Sequence, residues 1–262
     1  MSEELSEVLL LKNQRILDDD VGEVVENQLN EHARAPSTTL YLDLSRNYIS
    51  DIGVKRLCGV LKHYNLTVTF LNLSHNRIGD TGVESLTQIF RESNLIQGLD
   101  LSYNRITRKG CESLVNALAQ SESLKRLIVT ENIIHSDDVE LFAKCFSLYA
   151  TTSTCCLHIH KACRMIDGAL ILCGMRQEQL IKIMLNTTAS PAKLILQDFH
   201  EGLPLEAFQT TLNYTMSSSL IKLCITSCDM DDGHMESIAQ VLLNNRESMS
   251  KLRYIDFSQV DD

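Results

Sequence analysis

The chain has 262 residues and a formal net charge of −10, which argues against a surface built to bind nucleic-acid phosphates. Its nine cysteines, an odd number in no regular spacing, are typical of reduced thiols in the cytoplasm and not of a disulfide framework. The longest apolar run, "GALILCG", is too short to span a bilayer, and "MSEELSEVLLL" does not resemble a signal peptide. We therefore expect a soluble, cytoplasmic protein.

One eight-residue phrase occurs three times in the first half of the chain. It reads "LDLSRNYI" from Leu42, "LNLSHNRI" from Leu71 and "LDLSYNRI" from Leu99. Its first half alternates apolar and polar residues, which predicts a short strand whose leucines face the core. The asparagine that follows, Asn47 in the first copy, has an amide that both donates and accepts, as a turn requires.

Each phrase is followed by a segment with a glycine and then apolar residues spaced three and four apart, as in "YISDIGVKRLCGVLKHY". This spacing predicts an amphipathic helix. The acidic groups at Asp18 to Asp20 and at Asp229 to Asp232 fall near predicted helix starts, where carboxylates interact well with the helix dipole. One unit is therefore a strand, a turn, a helix and a return loop, and such units must stack to bury their apolar faces.

Weaker copies of the phrase extend the array. "LLLKNQRI" precedes the clear copies, and "LIVTENII" follows them. "LHIHKACRMI" and "LILQDFHEG" keep the strand pattern without the asparagine, and in "LCITSCDM" Cys228 stands at that position. The segment "GALILCGMRQEQLIKIMLNTT" is predicted to be a longer helix. The first inward strand positions are Leu9, Leu42, Leu71, Leu99, Leu127, Leu157, Leu194, Leu223 and Ile255.

The repeated phrase and the unit of about 28 residues resemble the leucine-rich repeat family, in its ribonuclease-inhibitor-type subclass. The resemblance implies an α/β solenoid curved into a horseshoe, with parallel strands on the concave face and helices on the convex face. We expect a single domain over residues 1–262, with about eight units and a terminal strand.

Because side chains alternate along a strand, the residues between the inward leucines are expected on the concave face. Ile128 and Ile195 are unusual there, and exposed apolar groups often mark a binding site. If the register of the irregular middle repeats is shifted by one residue, both isoleucines are core residues instead. The candidate partner-binding residues are Asp43, Asn72, Asp100, Ile128, His158, His160 and Ile195 on the strands, with Arg46, His75, Tyr103 and Glu131 at the turn rim.

The stretch "CLHIH" would place Cys156, His158 and His160 on one face of a strand, with Asp198 on the next coil. Thiolate and imidazole are zinc ligands, but alternate strand residues lie about 7 Å apart, too far to grip one ion unaided. We expect no metal site and no cofactor. No Walker-type phosphate loop, HExxH or GxSxG motif is present, so we expect no enzyme.

The favoured function is a non-catalytic protein-interaction module, an adaptor or scaffold subunit whose strand face and turn rim bind a basic or neutral protein. One alternative is a GTPase activator, because the Ran GTPase-activating proteins resemble this subclass. The turn asparagines Asn47, Asn76 and Asn104 are general to the repeat and cannot identify that activity. The other alternative is an acidic inhibitor of a basic enzyme, similar to the ribonuclease inhibitors.

The final strand, "YIDFSQV", is predicted to point Ile255 and Phe257 inward, with no helix after it. An uncovered strand presents unpaired backbone groups, which native proteins blunt with charge or cover. We expect this edge to dock on another subunit in an assembly. The alternatives are that the carboxylates of Asp256, Asp261 and Asp262 protect it, or that the sequence is a fragment of a longer array.

Overall fold

A computed structural model describes most of the chain, and its residues fall into two compact units, Met1–Ile134 (unit 1) and His135–Asp262 (unit 2). The assignment of residues 1–262 to one domain stays a prediction. The described residues are 6–32, 39–65, 67–92, 95–121, 123–135, 137–149, 156–160, 163–166, 169–174, 176–186, 193–199, 220–228, 230–244 and 251–258.

Strands and helices alternate in unit 1, as the repeated phrase predicted. The strands are β1 (Ser6–Leu10), β2 (Thr39–Asp43), β3 (Thr67–Asn72), β4 (Gly98–Asp100) and β5 (Arg126–Ile128). The helices are α1 (Val21–His32), α2 (Asp51–Tyr64), α3 (Asp80–Glu92) and α4 (Arg108–Gln120). Each of these strands pairs with the next one in parallel.

The core of unit 1 is built from equivalent apolar residues of successive repeats. Leu42 pairs with Leu9 on one side and with Leu71 on the other, and Leu71 pairs with Leu99. All four are buried. Because burying a leucine side chain stabilises a fold by about 1.5–3 kcal/mol, this column strongly favours the observed register. The register predicted from the phrase is confirmed.

Asparagines at the turns of unit 1 join each repeat to the one before it, and Asn47, Asn76 and Asn104 among them are buried. Asn76 Nδ2 donates to the carbonyl oxygens of Leu44 in the previous repeat and Leu73 in its own, both at 3.0 Å. Its Oδ1 accepts from the amide of Ile49 at 3.1 Å. These bonds satisfy backbone groups that the core would otherwise leave unpaired. Equivalent bonds are made by Asn47, Asn104 and Asn132.

Aspartates form a second connection between repeats, at the helix starts. Asp18 Oδ1 accepts from the amides of Ser50 at 2.6 Å and Gly53 at 3.0 Å. Asp51 Oδ1 accepts from the amide of Gly79 at 2.6 Å in the next repeat. A carboxylate here satisfies amides that the first helical turn leaves open. We call this series the Asp–Gly ladder, because a Cβ on Gly53 would lie 2.5 Å from Asp18 Oδ1.

The Asp–Gly ladder continues for one more step and then stops. Asp80 accepts from the amide of Thr107 at 2.9 Å and from its hydroxyl at 2.6 Å. The next residue in that ladder position is Arg108, whose Nε instead donates to Glu112 at 3.0 Å. A guanidinium cannot accept hydrogen bonds from backbone amides. Arg108 therefore cannot bind helix-start amides of the following repeat as Asp18, Asp51 and Asp80 do.

Unit 2 keeps the alternation only in part. Its described strands are β6 (Cys156–His160), β7 (Cys163–Ile166), β8 (Ala169–Cys173), β9 (Lys193–Gln197), β10 (Lys222–Thr226) and β11 (Tyr254–Asp256). Its described helices are α5 (Val139–Tyr149), α6 (Gln177–Asn186) and α7 (Asp232–Asn244). β7 is antiparallel to β6 and β8, whereas β8 to β11 pair in parallel. The prediction of parallel strands is therefore wrong for β7.

The segment predicted to be one long helix contains a strand and a shorter helix. β8 covers its apolar run, and α6 begins only at Gln177. Leu170 of β8 pairs with Leu194 of β9, and both are fully buried. Leu170, and not Leu157, therefore holds the core position next to Leu194. A short apolar run fits a buried strand as well as a helix, and its pattern alone cannot separate the two.

The turn and the last strand of unit 2 agree with the predicted register. Cys228 takes the asparagine position, and its thiol contacts the carbonyl oxygen of Leu196 at 3.8 Å. Ile255 pairs with Leu223, as expected, but is 38% exposed. In the described residues β11 pairs only with β10, and Asp261 and Asp262 lie outside those residues. Docking of this edge stays a prediction.

Candidate functional site

The side chains of the unit 1 sheet that point away from the buried leucines form rows, because paired strands place equivalent residues side by side. We call this surface the strand face. Its first row is Val8, Tyr41, Phe70, Gly98 and Arg126. Its second row is Leu10, Asp43, Asn72, Asp100 and Ile128.

The first row combines aromatic rings with a cation. The Tyr41 and Phe70 rings stack with centroids 5.7 Å apart and planes 16° apart. The Arg126 guanidinium lies 5.4 Å from the Phe70 centroid. A Cβ on Gly98 would lie 2.6 Å from a Phe70 ring carbon, so glycine makes the space for that ring. Beside these rings Val8 is 58% exposed, which gives the row accessible apolar surface.

The hydroxyl of Tyr41 stays protonated at neutral pH. Burial, followed by the carboxylates of Asp43 and Asp100, raises the pKa of Tyr41, and Arg126 acts in the opposite direction. An uncharged phenol can donate and accept hydrogen bonds, so Tyr41 offers a polar contact at the end of an apolar ring.

The polar side chains of the second row stabilise the turns at the ends of the strands. Asp43, Asn72 and Asp100 each accept from the amide two residues later, at 2.9, 3.0 and 2.8 Å. Side chains of this type commonly form such turns. Asn72 and Asp100 are half-buried, but Asp43 is only 8% exposed. Asp43 was predicted to contact a partner, and its burial leaves it little surface for this.

The turn rim lies just beyond the strand face. It comprises Arg46, His75, Tyr103 and Glu131, followed two residues later by Tyr48, Arg77 and Arg105. The first four have left-handed backbones, with φ of 57°, 54°, 55° and 56°. The amide of Arg46 donates to the carbonyl oxygen of Ser74 at 2.9 Å, and those of His75 and Tyr103 make equivalent bonds. The rim side chains therefore project from a fixed backbone.

Side chains of the turn rim contact each other in pairs. The rings of His75 and Tyr103 stack with centroids 4.1 Å apart and planes 6° apart. Arg46 Nη2 lies 3.5 Å from His75 Nε2, and the Arg77 guanidinium lies 4.7 Å from the Tyr48 centroid. Tyr48 and Tyr103 are 41% and 50% exposed, so their rings remain accessible.

His75 is neutral at neutral pH. Burial, followed by the charge of Arg46, lowers its pKa; Lys12 acts in the same direction and Asp100 opposes them. The neutral ring can accept a hydrogen bond from a nearby guanidinium. The positive charge of this part of the rim therefore comes from Arg46 and not from the imidazole.

The left-handed position recurs along the chain with other residue types. The equivalent positions elsewhere are Asn13, Gly174, Asp198 and Ser227. Glycine takes this backbone freely, and asparagine and aspartate tolerate it, whereas other residues pay about 1–2 kcal/mol. Large side chains at Arg46, His75 and Tyr103 therefore occupy a backbone position that disfavours them.

Ile128 and Ile195 both point away from the core. Each is half-buried, whereas the residues on either side of each are fully buried. The alternative in which a shifted register makes them core residues is therefore wrong. Their contact with a partner stays a prediction. Cys224, which pairs with Ile195, is buried and does not extend the exposed apolar surface.

The described residues offer no metal centre. His158 is half-buried and pairs with Arg164, while only the backbone of His160 is described. In the part of the chain that the structure describes, no group of three or more His, Cys, Asp or Glu side chains could hold a metal ion. Burial raises the pKa of Cys58 and of Cys163 to about 12, so both thiols stay protonated and unreactive.

Comparison with known families identifies part of the array. A family model described as Leucine Rich repeat matches residues 38–58, 64–86 and 93–115. The chain is similar to leucine-rich repeats over these three units. With its alternating strands and helices, the chain has the α/β solenoid fold of such repeats. No curated protein matches the chain.

Leucine-rich repeats generally mediate protein–protein interactions and are typically non-catalytic. The ribonuclease-inhibitor-type subclass stays a prediction. No helix in the described ranges combines the length and apolar character needed to cross a membrane.

The sequence predicted the second row and part of the rim but missed the first row. Tyr41, Phe70 and Arg126 each stand directly before the leucine that opens the phrase. The same alternation that located Asp43 and Asp100 would have located them if it had been extended one step toward the N-terminus. The role of Gly98 could not be predicted from the sequence in this way. Glycine is needed there because the Phe70 ring of the neighbouring strand occupies the space of a Cβ.

Proposed function

We propose that this protein is a non-catalytic interaction module whose strand face and turn rim in unit 1 bind a protein partner. The observation that carries the proposal is the row of large side chains at left-handed positions, Arg46, His75 and Tyr103. A surface that served only solubility would be more stable with glycine or asparagine there. These exposed side chains occupy a backbone conformation that costs folding free energy. Such strain is typical of functional sites, so we expect these residues to contact a partner.

The composition of this surface supports the same function. Interfaces are enriched in Tyr, Phe and Arg, and hot spots in Tyr and Arg. The strand face and turn rim present these types on four neighbouring strands, together with exposed apolar side chains at Val8 and Leu10. We propose an adaptor or scaffold role in the cytoplasm, as expected from the sequence.

The two alternative functions gain no support from these contacts. Asn47, Asn76 and Asn104 are 4%, 8% and 9% exposed, and their amides bond to the backbone, so they serve the fold. These asparagines are therefore not available as catalytic groups of a GTPase activator. An acidic inhibitor would present carboxylates to a basic enzyme, but the exposed turn rim carries three arginines.

Site-specific photo-crosslinking tests the proposal. A photoreactive phenylalanine analogue replaces Tyr48 or Tyr103 on the rim, or Lys55 on the exposed side of α2 as the control. We expect one protein to be captured from both rim positions and not from Lys55. Capture from Lys55 alone would move the binding surface to the helices and contradict the proposal.

Binding to the purified partner then measures the contribution of one rim residue. We expect Tyr103→Ala to weaken the affinity about tenfold, or about 1.4 kcal/mol, in calorimetry. Lys55→Ala serves as the matched control and should leave the affinity unchanged. Circular dichroism must show that both variants are folded. Equal affinities for all three proteins would remove Tyr103 from the interface.

A further inference from the structure

The charge near the turn rim of unit 1 is opposite in sign to that of the whole chain. Five cationic side chains follow the ends of β1 to β4, all exposed: Lys12, Arg15, Arg46, Arg77 and Arg105. The exposed acidic residue at the rim is Glu131, after β5. A protein with a formal charge of −10 therefore presents a local cationic edge.

The ion pairs among the described residues of unit 1 do not include these cations. In the described part of unit 1, the ion pairs join helical or helix-start residues, namely Arg56 with Asp19, Lys109 with Glu84 and Arg108 with Glu112. None of the five cations near the turn rim pairs there with a carboxylate. Arg77 instead lies over the Tyr48 ring, and Arg46 lies near the neutral His75 imidazole.

The carboxylates at the ends of β2 and β4 bind backbone amides of their own turns. Asp43 and Asp100 accept hydrogen bonds from the amides of their own turns, at 2.9 and 2.8 Å. Carboxylates from outside the chain would therefore meet guanidiniums with free donors. Arginine suits this role because its planar fork can bind a carboxylate through two parallel hydrogen bonds.

We propose that the turn rim of unit 1 binds an acidic segment of the partner protein. Arg46, Arg77 and Arg105 pair with its Asp and Glu side chains, and the Tyr48 and Tyr103 rings contact its apolar side chains. The inference rests on the proposed function and adds the chemistry of the partner. Net charge alone favours a basic or neutral partner, whereas charge complementarity at the rim favours an acidic segment.

Cations interleaved with aromatic rings could also bind single-stranded nucleic acid. Two observations favour the acidic protein segment. Glu131 on the rim and the half-buried Asp100 beside it would repel a chain that carries a phosphate at every nucleotide, and so would the net charge of −10. The exposed Val8 and Leu10 offer apolar contacts that suit a peptide with spaced carboxylates.

Fluorescence anisotropy with a defined peptide tests the inference. The probe is a labelled peptide in which Glu alternates with Leu and Phe, and its control has Gln in place of Glu. We expect saturable binding of the Glu peptide at low ionic strength, and at least about tenfold weaker binding of the Gln peptide. Absence of saturable binding, or equal affinities, would overturn the inference.

Charge reversal on the protein provides the matched comparison. Arg77→Glu with Arg105→Glu alters the rim, while Lys55→Glu with Lys144→Glu makes the same change in net charge on exposed helix surfaces. We expect the rim variant to bind the Glu peptide at least about tenfold more weakly and the helix variant to bind normally. Equal losses would show that net charge governs binding, and tighter binding of a labelled RNA homopolymer would favour nucleic acid.

The inference and the proposed function can fail separately. If the captured partner crosslinks at Tyr48 and Tyr103 through a segment without carboxylates, and rim charge reversal leaves its affinity unchanged, only the inference fails. If the partner crosslinks at Lys55 alone, the proposed surface fails as well.

Discussion

At the scale of single residues, the turn rim shows a conflict between backbone and side chain. The bonds between repeats hold Arg46, His75 and Tyr103 in a left-handed conformation, and none of these residue types favours it. The same position holds Asn13 and Gly174 in other repeats. The conflict is therefore specific to particular repeats and is not a requirement of the turn.

Replacing Arg46 with asparagine should stabilise the protein. We expect Arg46→Asn to raise the free energy of unfolding by about 1 kcal/mol, because asparagine tolerates the left-handed backbone. Urea unfolding measures this change, and the same variant should bind the partner less tightly. Arg77→Asn is the control, since it makes the same side-chain change at a residue without positive φ. A larger gain from Arg77→Asn would contradict the role of backbone strain.

Residue positions on the strand face could be predicted, but their surroundings could not. Alternation placed Asn72, Asp100 and Ile128 on the correct side of the sheet, because the period of a strand is independent of its neighbours. The burial of Asp43 and the stacking of His75 on Tyr103 depend on how repeats pack together. A single repeat does not contain that information.

At the scale of helices and strands, the Asp–Gly ladder explains why a glycine stands near the start of α2, α3 and α4. Glycine normally weakens a helix, by about 1 kcal/mol relative to alanine. Here the aspartate of the previous repeat occupies the space that a Cβ would need at Gly53 and Gly82. The cost to each helix is offset by hydrogen bonds that cap it.

Two glycine substitutions test this explanation with opposite expected signs. A Cβ on Gly82 would lie 2.7 Å from Asp51 Oδ1 and 2.8 Å from Ile78 Cγ2, whereas nothing lies within 4 Å of one on Gly59. We expect Gly82→Ala to lower the free energy of unfolding by about 1–3 kcal/mol. Gly59→Ala, in α2, should raise it by up to about 1 kcal/mol.

Thermal or urea unfolding distinguishes these outcomes. If both glycine variants stabilise the protein, helix propensity dominates and the Asp–Gly ladder does not require glycine. If both destabilise it, a general intolerance of α2 and α3 to substitution would be the simpler account.

Element prediction succeeded where the phrase was clear and failed where it degenerated. In unit 1 the leucines, the asparagine and the glycine together indicate strand, turn and helix. In unit 2 the run at Ala169–Cys173 lacks the asparagine, so its apolar character was assigned to a helix. The antiparallel β7 has no counterpart in the repeat, and no repeat-based reasoning could have placed it.

At the scale of the whole molecule, net charge and local charge act at different distances. The formal charge of −10 acts over about a Debye length, roughly 10 Å at 0.1 M salt, whereas the rim arginines act at contact. An acidic segment is therefore repelled as it approaches and retained after it binds. The long-range repulsion should govern the association rate, and the contacts with the rim arginines should govern the dissociation rate.

We expect added salt to raise both rate constants for the Glu peptide in stopped-flow measurements. Screening weakens the long-range repulsion and so speeds association, and it weakens the ion pairs and so speeds dissociation. A peptide with Lys in place of Glu is the control, and its association should slow with salt. An association rate for the Glu peptide that falls with salt would show that the rim dominates even at long range.

The Asp–Gly ladder also determines where the array could grow by duplication. The repeats that begin at β2 and β3 each receive a carboxylate from the repeat before them and present one to the repeat after them. A copied module inserted between these two repeats would meet matching surfaces on both sides. A module inserted after the repeat that begins at β4 would lack this contact, because Arg108 stands there in place of the aspartate. Each inserted copy at the permitted junction would widen the strand face by one strand and add one position to each line of rim side chains.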